Sequence, residues 1–144
     1  MNPPASSEFS AGGVVVRGRE CIVIVPTRRA ADGSKVLALP KGHPDGAETA
    51  ADAALREVRE EAGVDARLVE KLGEVRYFYQ RDGRRIAKVV AFFLLEFTGG
   101  DVSLHDHEVE EARWVALEEA VETLTYAGER GMAARALSRL QREL

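Results

Sequence analysis

The chain has 144 residues, of which 45% are hydrophobic and 31% charged, and its formal net charge is −4. This composition is typical of a globular protein with a sizeable core, and we expect one domain over residues 1–144. The acidic balance argues against nucleic-acid binding through a basic surface. Cys21 is the single cysteine, which excludes an internal disulfide and fits a reducing, cytoplasmic compartment. No apolar run reaches the ~20 residues of a membrane span, so we expect neither a signal peptide nor membrane binding.

The first forty residues predict a tail and three strands. We expect residues 1–7 to form a loose tail. Runs of apolar and β-branched residues predict strands over 9–16, 21–27 and 36–39. The third of these strands leads into a loop with glycine and proline that precedes the first helix.

A helix is predicted between Thr49 and Gly63. Thr49 with Asp52 three residues later is typical of a capping box at a helix start. Gly63 stands where a helix would end in a left-handed residue. Between them, apolar residues recur at helical spacing and form one stripe: Ala51, Ala54, Leu55, Val58 and Ala62.

The second half of the chain begins with a predicted β-hairpin. The runs 68–80 and 86–97 are rich in β-forming residues, and Asp82-Gly83 between them favours a tight turn. A polar loop over 105–111 precedes Trp114, where we expect a last strand or turn to begin.

The end of the chain predicts two helices, a short one over 117–123 and a longer amphipathic one. The apolar face of the second consists of Ala133, Ala136, Leu137, Leu140 and Leu144. Strands interleaved with helices favour an α/β fold, in which a mixed sheet is covered on both sides.

Three carboxylates lie on one face of the first predicted helix, because Glu57, Glu60 and Glu61 are spaced i, i+3 and i+4. One interpretation is a solvated acidic face with basic neighbours, and Arg56 and Arg59 are the cations nearby in the helix. We expect the three carboxylates to lack a cationic partner and to bind a hard divalent cation instead, since Mg²⁺ and Mn²⁺ prefer carboxylate oxygens.

The region around this helix resembles the signature of the Nudix (MutT-like) hydrolases. That signature is a glycine, five residues, a glutamate, seven residues and then Arg-Glu-aliphatic-x-Glu-Glu-x-Gly-aliphatic, and the chain matches every specified position from Gly42 to Val64. At about 7% per fixed residue, a chance match has a probability on the order of 10⁻⁹ per start position. The resemblance implies an α/β/α sandwich and hydrolysis of nucleoside diphosphate derivatives with Mg²⁺, or alternatively Mn²⁺.

The resemblance also assigns roles within the motif. It implies these metal ligands: the Gly42 carbonyl and the carboxylates of Glu57, Glu60 and Glu61. Glu48 and Arg56 match a structural pair that ties the loop to the helix, with a metal contact as the alternative for Glu48.

Similar proteins supply a further metal-binding carboxylate from a later loop, about six residues before a tryptophan. That spacing from Trp114 favours Glu108, with Glu110 and Glu111 as the alternatives. The general base varies within the family, so both Glu57 and Glu108 remain candidates for it.

Residues outside the motif resemble the diadenosine polyphosphate hydrolases. Pro40-Lys41-Gly42-His43 resembles their approach to the motif, and Lys88-Val89-Val90 resembles their Lys-Thr-Val. The implied substrate-binding residues are Lys41, His43, Tyr77, Lys88 and Tyr126. We expect the segment around Lys88 to flank the motif helix. The alternative is that the tyrosines serve in packing and that Lys88 is a plain exposed strand residue.

We therefore expect a Mg²⁺-dependent pyrophosphohydrolase whose leading substrate is a dinucleoside polyphosphate such as diadenosine tetraphosphate. The alternatives are a nucleoside triphosphate pyrophosphatase that clears oxidised nucleotides, an ADP-ribose or nucleotide-sugar pyrophosphatase, and a Nudix-fold regulator without turnover. The expected partner is a nucleotide small molecule rather than nucleic acid or membrane, and the chain is expected to be a monomer or a homodimer.

Overall fold

The structure is a computed structural model, and it describes residues 6–142. The strands of the described chain are β1 (Ser6–Arg17), β2 (Glu20–Pro26), β3 (Lys41–Gly42), β4 (Val64–Arg81), β5 (Arg84–Gly100) and β6 (Val109–Ala116). The helices are α1 (Ala50–Ala62), α2 (Leu117–Thr123) and α3 (Ala127–Gln141), with a short 3₁₀ turn at Val102–Leu104. Among the helices of residues 6–142, none combines the length and the apolar composition that a membrane span requires.

These strands form one mixed sheet in the order β4-β5-β1-β2-β6, with β3 paired to β1 at its side. β1 and β5 run parallel, whereas the other neighbours are antiparallel. β4 and β5 form the predicted hairpin, and Asp82 and Gly83 at its tip both have positive φ angles, 53° and 74°.

Each face of the sheet is covered by a separate apolar core. α1 packs Ala54 and Val58 against Val15 and Leu95 on one face. α2 and α3 cover the other face, where they bury a second set: Val14, Val23, Phe92, Leu94, Leu117, Met132 and Ala133. Successive strand residues alternate between these two layers because strand side chains point to opposite faces in turn. The predicted α/β sandwich is confirmed.

Cys21 lies in the second of these cores and is fully buried. Burial raises the pKa of its thiol to about 12, and the charges of Glu119 and Glu20 act in the same direction. The thiol is therefore protonated at neutral pH and serves in packing, as predicted for a residue inside an apolar strand.

Several predicted boundaries are wrong; the hairpin strands, for example, begin at Val64 and end at Gly100 rather than at residues 68 and 97. The expected tail does not include residues 6 and 7, because β1 pairs with β5 from Ser6 onward; residues 1–5 lie outside the described chain.

The strand predicted at 36–39 is a single bridge between Ala38 and Ile24, since the segment then runs into Pro40, which has no N–H to donate. The last strand begins at Val109 rather than near Trp114, because residues from Val109 pair with β2. Leu144, placed on the apolar face of the last helix, also lies outside the described residues.

The short strand β3 is held close to β1 at a point where only glycine fits. Gly12 lies opposite Lys41, and a Cβ on Gly12 would overlap the Pro40 carbonyl oxygen. The Gly13 N–H donates to that same oxygen at 3.1 Å. This close approach brings Lys41 and Gly42 to the edge of the site described below.

Candidate active site

Helix α1 is fixed at both ends by the residues that the sequence predicted. Thr49 is the N-cap, and its hydroxyl accepts from the Asp52 N–H at 3.1 Å. Gly63 is the C-cap in the left-handed region, with φ of 75°, and its N–H donates to the Arg59 carbonyl at 3.0 Å. The helix is thereby held rigidly enough to present its carboxylates at defined positions.

Arg56 is the central cation of the site, and its side chain is 23% exposed. Its Nη1 donates to Glu57 at 2.9 Å and to both carboxylate oxygens of Glu60 at 3.2 Å. The expectation that the three helix carboxylates lack a cationic partner is therefore wrong for Glu57 and Glu60. Arg56 and Glu60 are spaced i, i+4, at which opposite charges on a helix meet, so the sequence did contain a signal for this pair. The contact with Glu57 at i+1 is not one that helical spacing predicts.

The predicted pairing of Glu48 with Arg56 is present. Arg56 Nε and Nη2 each donate to a Glu48 carboxylate oxygen at 3.0 Å, and Nη2 also donates to the His43 carbonyl at 2.8 Å. Glu48 in turn accepts from the Asp45 N–H at 2.9 Å. These bonds close the loop onto α1, and the Arg56 guanidinium holds the pKa of the Glu48 carboxyl below its usual range.

Glu61 and Glu57 contact the short strand β3. Glu61 Oε1 accepts from the Lys41 N–H at 2.8 Å. The carboxylate of Glu57, 13% exposed, lies where a Cβ on Gly42 would be, so that only glycine leaves it room. The two residues of β3 thus lie directly against two carboxylates of α1.

Both of these carboxyls bind their protons more tightly than free glutamate. Burial raises the pKa of Glu61 to about 8, and the nearby charges of Glu57 and Asp106 add to it. Burial also raises the pKa of Glu57, and the charges of Glu60 and Glu108 add to the effect of burial against the opposing effect of Arg56. Crowded, desolvated carboxylates of this kind are stabilised by a cation.

The loop after β5 brings two more acids to this cluster. The Asp106 N–H donates to the Glu60 carbonyl at 2.9 Å, which ties the loop to the end of α1. The Glu108 carbonyl accepts from the Thr27 N–H at 2.9 Å, and the Glu108 N–H donates to Asp106 Oδ1 at 3.1 Å. The charge of Glu108 acts on Glu57, and that of Asp106 acts on Glu61.

The other two candidate acids of this region have partners elsewhere. Glu110 forms ion pairs with Arg29 at 3.0 Å and with Lys35 at 3.2 Å. Glu111 pairs with Arg113 at 3.2 Å. Of the three alternatives named from the sequence, Glu108 is the one whose charge contributes to the raised pKa of Glu57.

The chemistry of the site fits a hard divalent cation. As the side chains stand, no three His, Cys, Asp or Glu side chains within residues 6–142 converge on one metal position. The reason is visible in the bonds above, since Arg56 holds Glu57 and Glu60 while the Lys41 N–H holds Glu61. The groups present are carboxylates and backbone carbonyls, the ligands that Mg²⁺ and Mn²⁺ prefer, and the missing side chain of Gly42 lets the Glu57 carboxylate lie against the backbone of β3.

A second group of polar residues lies on the opposite face of the sheet. In the register of the sheet, Lys88 of β5 lies opposite Tyr77 of β4 on one side and opposite Glu8 of β1 on the other. These residues share the face of Val90, which packs in the core beneath α3, and not the face of α1. The segment around Lys88 does pack against the motif helix, through residues such as Ala91 of β5, but the Lys88 side chain lies on the other face because strand side chains alternate between faces.

Lys88 is nearly enclosed in this row of side chains. Its side chain is 14% exposed, and Nζ lies 3.9 Å from Glu8 Oε2. Burial lowers the pKa of the Lys88 ammonium, the charges of Lys41 and Arg28 act in the same direction, and Glu8 opposes them. Lys88 is thus a desolvated cation close to a second lysine, rather than a plain exposed strand residue.

Lys41 connects the two faces. Its N–H reaches Glu61 on the α1 side, whereas its Nζ donates to Glu129 of α3 at 3.2 Å. Tyr77 lies within the electrostatic range of Lys41, Glu129 and Tyr126, and Tyr126 is the exposed N-cap residue of α3. The fold thus brings together four candidate residues from four separate segments: Lys41, Tyr77, Lys88 and Tyr126.

His43 lies at the edge of this arrangement and is exposed. Its Nδ1 is 3.0 Å from the Phe9 carbonyl oxygen and 3.5 Å from the Ser10 hydroxyl, while its own carbonyl accepts from Arg56. The imidazole therefore contacts β1, and the backbone of the same residue contacts the helix motif.

A Nudix domain model matches residues 8–136 of this chain. The chain belongs to the Nudix family. Members of this family generally use a divalent metal ion such as Mg²⁺ and act on small nucleotide substrates.

Relatives and solved structures agree with this assignment. The chain is 40% identical over 131 residues to a Mycobacterium tuberculosis protein named "Putative mutator protein MutT4", covering 88% of this chain and 53% of that protein. It is 37% identical over 101 residues to an 8-oxo-(d)GTP phosphatase of Mycolicibacterium smegmatis, covering 70% of this chain and 30% of that protein. It is 34% identical over 93 residues to the mouse asymmetrical bis(5'-nucleosyl)-tetraphosphatase, covering 64% of this chain and 63% of that protein. The chain thus spans about a third to two thirds of the length of these relatives.

Two solved structures show the same fold. A NUDIX hydrolase from Nitrosomonas europaea superposes with a TM-score of 0.77 at 16% identity, covering 93% of this chain and 90% of that one. A C. elegans Ap4A hydrolase binary complex superposes with a TM-score of 0.72 at 25% identity, covering 95% and 99%. The predicted family is confirmed, and the names of its relatives as hydrolases and phosphatases agree with the predicted enzyme class.

Four residues of this Nudix site were not found from the sequence: Glu8, Arg28, Asp106 and Glu129. Glu129 is a single acid in the first turn of α3, a position where acids are common for reasons of helix electrostatics alone. Glu8 lies far from the motif in sequence and reaches Lys88 through strand pairing, whereas Arg28 follows β2 in a bend and acts on Lys88 through its charge. No sequence pattern separates these residues from ordinary surface charges.

Proposed function

We propose that this chain is a divalent-cation-dependent pyrophosphohydrolase that cleaves a phosphoanhydride bond of a nucleoside diphosphate derivative, with a dinucleoside polyphosphate such as diadenosine tetraphosphate as the leading substrate. The observation that supports this most strongly is the arrangement around β3. There, the carboxylates of α1 lie on one side and the group of Lys41, Tyr77, Lys88 and Tyr126 lies on the other.

The carboxylate side supplies the groups that this reaction needs. Phosphoanhydrides resist attack because their negative oxygens repel a nucleophile, and a bound divalent cation neutralises those oxygens and polarises the phosphorus. We assign the cation ligands to Glu57, Glu60, Glu61 and the Gly42 carbonyl, with Glu108 as the further carboxylate. Glu57 or Glu108 accepts the proton of the attacking water.

Arg56 has a positioning role in this proposal. Its bonds to Glu48 and to the His43 carbonyl fix the guanidinium independently of Glu57 and Glu60. Glu57 and Glu60 can therefore turn towards a cation without loss of the contact between loop and helix. Glu48 accordingly serves as the structural partner of Arg56 rather than as a ligand.

The opposite side supplies contacts for a long phosphate chain and a base. A chain of four phosphates carries more negative charge than the metal site alone offsets, so a fixed cation outside the carboxylate cluster is expected. Lys88 is desolvated, and its Nζ lies as far as 3.9 Å from Glu8 Oε2. The Lys88 ammonium is therefore able to bind a phosphate oxygen. Tyr77 and Tyr126 are both exposed and offer aromatic faces to a base.

A second candidate is a nucleoside triphosphate pyrophosphatase that clears oxidised nucleotides. It is favoured by the names of the two mycobacterial relatives, the mutator protein and the 8-oxo-(d)GTP phosphatase. The mouse tetraphosphatase favours the leading proposal. ADP-ribose or a nucleotide sugar is a weaker candidate, since the approach to the motif differs from that of ADP-ribose enzymes. A regulator without turnover is disfavoured because every carboxylate of the motif is present.

A product assay separates these substrates. The purified chain with Mg²⁺ is incubated with diadenosine tetraphosphate, a nucleoside triphosphate, 8-oxo-dGTP and ADP-ribose, and the products are resolved by chromatography. The proposal predicts the highest kcat/KM for diadenosine tetraphosphate, with ATP among the products. A preference for 8-oxo-dGTP would establish the second candidate, and a lack of turnover of all four would contradict the proposed function.

Substitutions on the phosphate and base side test the substrate assignment itself. Lys88→Ala is expected to raise KM for diadenosine tetraphosphate more than for ADP-ribose, because the longer phosphate chain depends more on a fixed cation. Tyr126→Ala is expected to weaken every adenine substrate by a similar factor, since loss of base stacking costs ~1–3 kcal/mol, or about 5- to 150-fold. Both are measured as kcat/KM on the two substrates.

Lys71→Ala is the matched control for Lys88→Ala. Lys71 also lies in the β4–β5 hairpin, but it is half exposed and paired with Glu74 at 2.9 Å, and we expect no change in either KM. Equal loss on both substrates in Lys88→Ala would remove the dinucleoside polyphosphate from the proposal and leave the general pyrophosphohydrolase.

A further inference from the structure

Glu129 is unusual among the residues that the structure describes. Among the charged residues whose burial the structure describes, Glu129 alone is buried, and its side chain is 7% exposed. A buried carboxylate costs several kcal/mol unless charged and hydrogen-bonding partners surround it. The presence of a carboxylate at this position therefore points to a task that a neutral core residue in α3 would not perform.

Both hydrogen-bond partners of the Glu129 carboxylate belong to the segment that leads into the Nudix motif. Oε1 accepts from the Leu39 N–H at 2.6 Å, and Oε2 accepts from Lys41 Nζ at 3.2 Å. One carboxylate thus holds both the backbone and the side chain of a three-residue stretch. The other side of that stretch is held by β1, through the Gly13 N–H and the Pro40 carbonyl.

This stretch and the adjoining Gly42 carry the groups that contact the α1 carboxylates. The Lys41 N–H donates to Glu61 at 2.8 Å, and Gly42 lies against the carboxylate of Glu57. A displacement of Lys41 would therefore shift both the N–H that donates to Glu61 and the Gly42 backbone that lies against the Glu57 carboxylate. Glu129 is connected to both acids through residues that it binds directly, although it lies on a helix that covers the opposite face of the sheet.

We propose that Glu129 is a positioning residue that acts through Lys41, holding the Lys41 N–H against Glu61 and Gly42 against Glu57. Residues that orient metal ligands from outside are worth about 10- to 100-fold in metal affinity or activity. The predicted effect on turnover rests on the proposed function, whereas the predicted effect on the backbone of Lys41 does not.

The test uses Glu129→Gln, which keeps the size of the side chain and an oxygen acceptor for the Leu39 N–H but removes the charge that binds Lys41. Three quantities are measured: amide hydrogen exchange at Lys41 relative to Val58, Mn²⁺ affinity by titration calorimetry, and kcat and KM. We expect Lys41 exchange to accelerate about tenfold relative to Val58, Mn²⁺ affinity to fall about 10- to 100-fold, and kcat to fall while KM changes little.

Met132→Ala serves as a control that destabilises the same helix but leaves the hydrogen bonds from Leu39 and Lys41 to Glu129 in place. Met132 is buried in α3 within the core under the sheet, so its truncation lowers the melting temperature. We expect Lys41 and Val58 exchange to change by the same factor in this variant and Mn²⁺ affinity to stay within twofold of wild type. A purely structural role of Glu129 would make Glu129→Gln behave like Met132→Ala.

A double variant tests whether the effect passes through Lys41. On a Lys41→Met background, Glu129→Gln should have little further effect on Mn²⁺ affinity, because the bond that it removes is already absent. Full additivity of the two substitutions would overturn the proposed route. Unchanged Lys41 exchange and unchanged Mn²⁺ affinity in Glu129→Gln would overturn the proposal as a whole. If wild type lacks turnover on the nucleotide panel, the proposed function fails, and the exchange and affinity measurements still decide the role of Glu129.

Discussion

Glu61→Gln is expected to lower turnover at least about 100-fold while the fold stays intact, because a cation ligand and its charge are lost. The amide oxygen of glutamine can still accept from the Lys41 N–H, so the contact between α1 and β3 is retained. Glu60→Gln should lower turnover by a similar factor, although its side chain is more exposed and accepts from Arg56 in this structure. The measurement is kcat at limiting Mg²⁺, together with a melting curve for each variant.

The same substitution has a predicted pH signature in the metal-free protein. The pKa of Glu61 is raised from 4.5 to about 8, so the folded state holds this proton more tightly than the unfolded state does. The stabilisation from Glu61 is therefore complete below pH 4.5 and is lost as the pH rises towards about 8. Melting curves between these values should show wild type losing stability relative to Glu61→Gln as the pH rises.

Glu122→Gln is the control for both measurements. Glu122 is an exposed acid on α2, and its replacement should change neither turnover nor the pH dependence of melting. Near-normal turnover of both Glu60→Gln and Glu61→Gln at limiting Mg²⁺ would contradict the assignment of these two residues as ligands. A wild type that gains stability over Glu61→Gln with rising pH would contradict the burial argument.

Arg56→Ala is expected to lose both stability and activity. The substitution removes the partner of Glu48 and leaves the partly buried carboxylate of Glu57 without its cation. Breaking a buried pair such as that of Glu57 costs roughly 3–5 kcal/mol. Because these groups retain some contact with solvent, we expect about 2–3 kcal/mol, or a fall in melting temperature of roughly 5–10 °C. Turnover should fall as well, since the loop from His43 to Glu48 is no longer held on α1.

Arg59→Ala provides the matched comparison from the same helix. Arg59 is 67% exposed and pairs with Asp65 at 2.8 Å, and exposed pairs contribute about 0–1 kcal/mol. We expect melting and turnover close to wild type. If Arg56→Ala melted normally and lost only metal affinity, Glu48 and Arg56 would belong to the ligand shell rather than to the structural pair.

The parts of this molecule that the sequence predicted well depend on local spacing. Thr49 and Gly63 bound α1 because caps are set by residues within one turn of the helix end. Asp82 and Gly83 mark the hairpin tip because few residues adopt positive φ without strain. The motif carboxylates and the Glu48–Arg56 pair follow from helical periodicity and from the resemblance to the family.

The parts that the sequence did not predict depend on register and on long-range pairing. Lys88 lies on the α3 face of the sheet, and a shift of one residue in strand register would reverse that face. Arg56 reaches Glu57 at i+1 through a rotamer that helical spacing does not specify, whereas its i,i+4 pair with Glu60 could have been predicted. Glu129 reaches Lys41 only because α3 packs beneath the sheet at that point.

The central claim is that Glu57, Glu60 and Glu61 bind a divalent cation, and a crystal soaked in Mn²⁺ tests it most directly. Anomalous scattering locates the ion without reference to any assumed ligand. The proposal predicts an anomalous peak within coordination distance of carboxylate oxygens of these three residues, with Arg56 detached from Glu57 and Glu60 and still bound to Glu48. A crystal at saturating Mn²⁺ without a peak beside α1, in which Arg56 still bonds to Glu57 and Glu60, would contradict it.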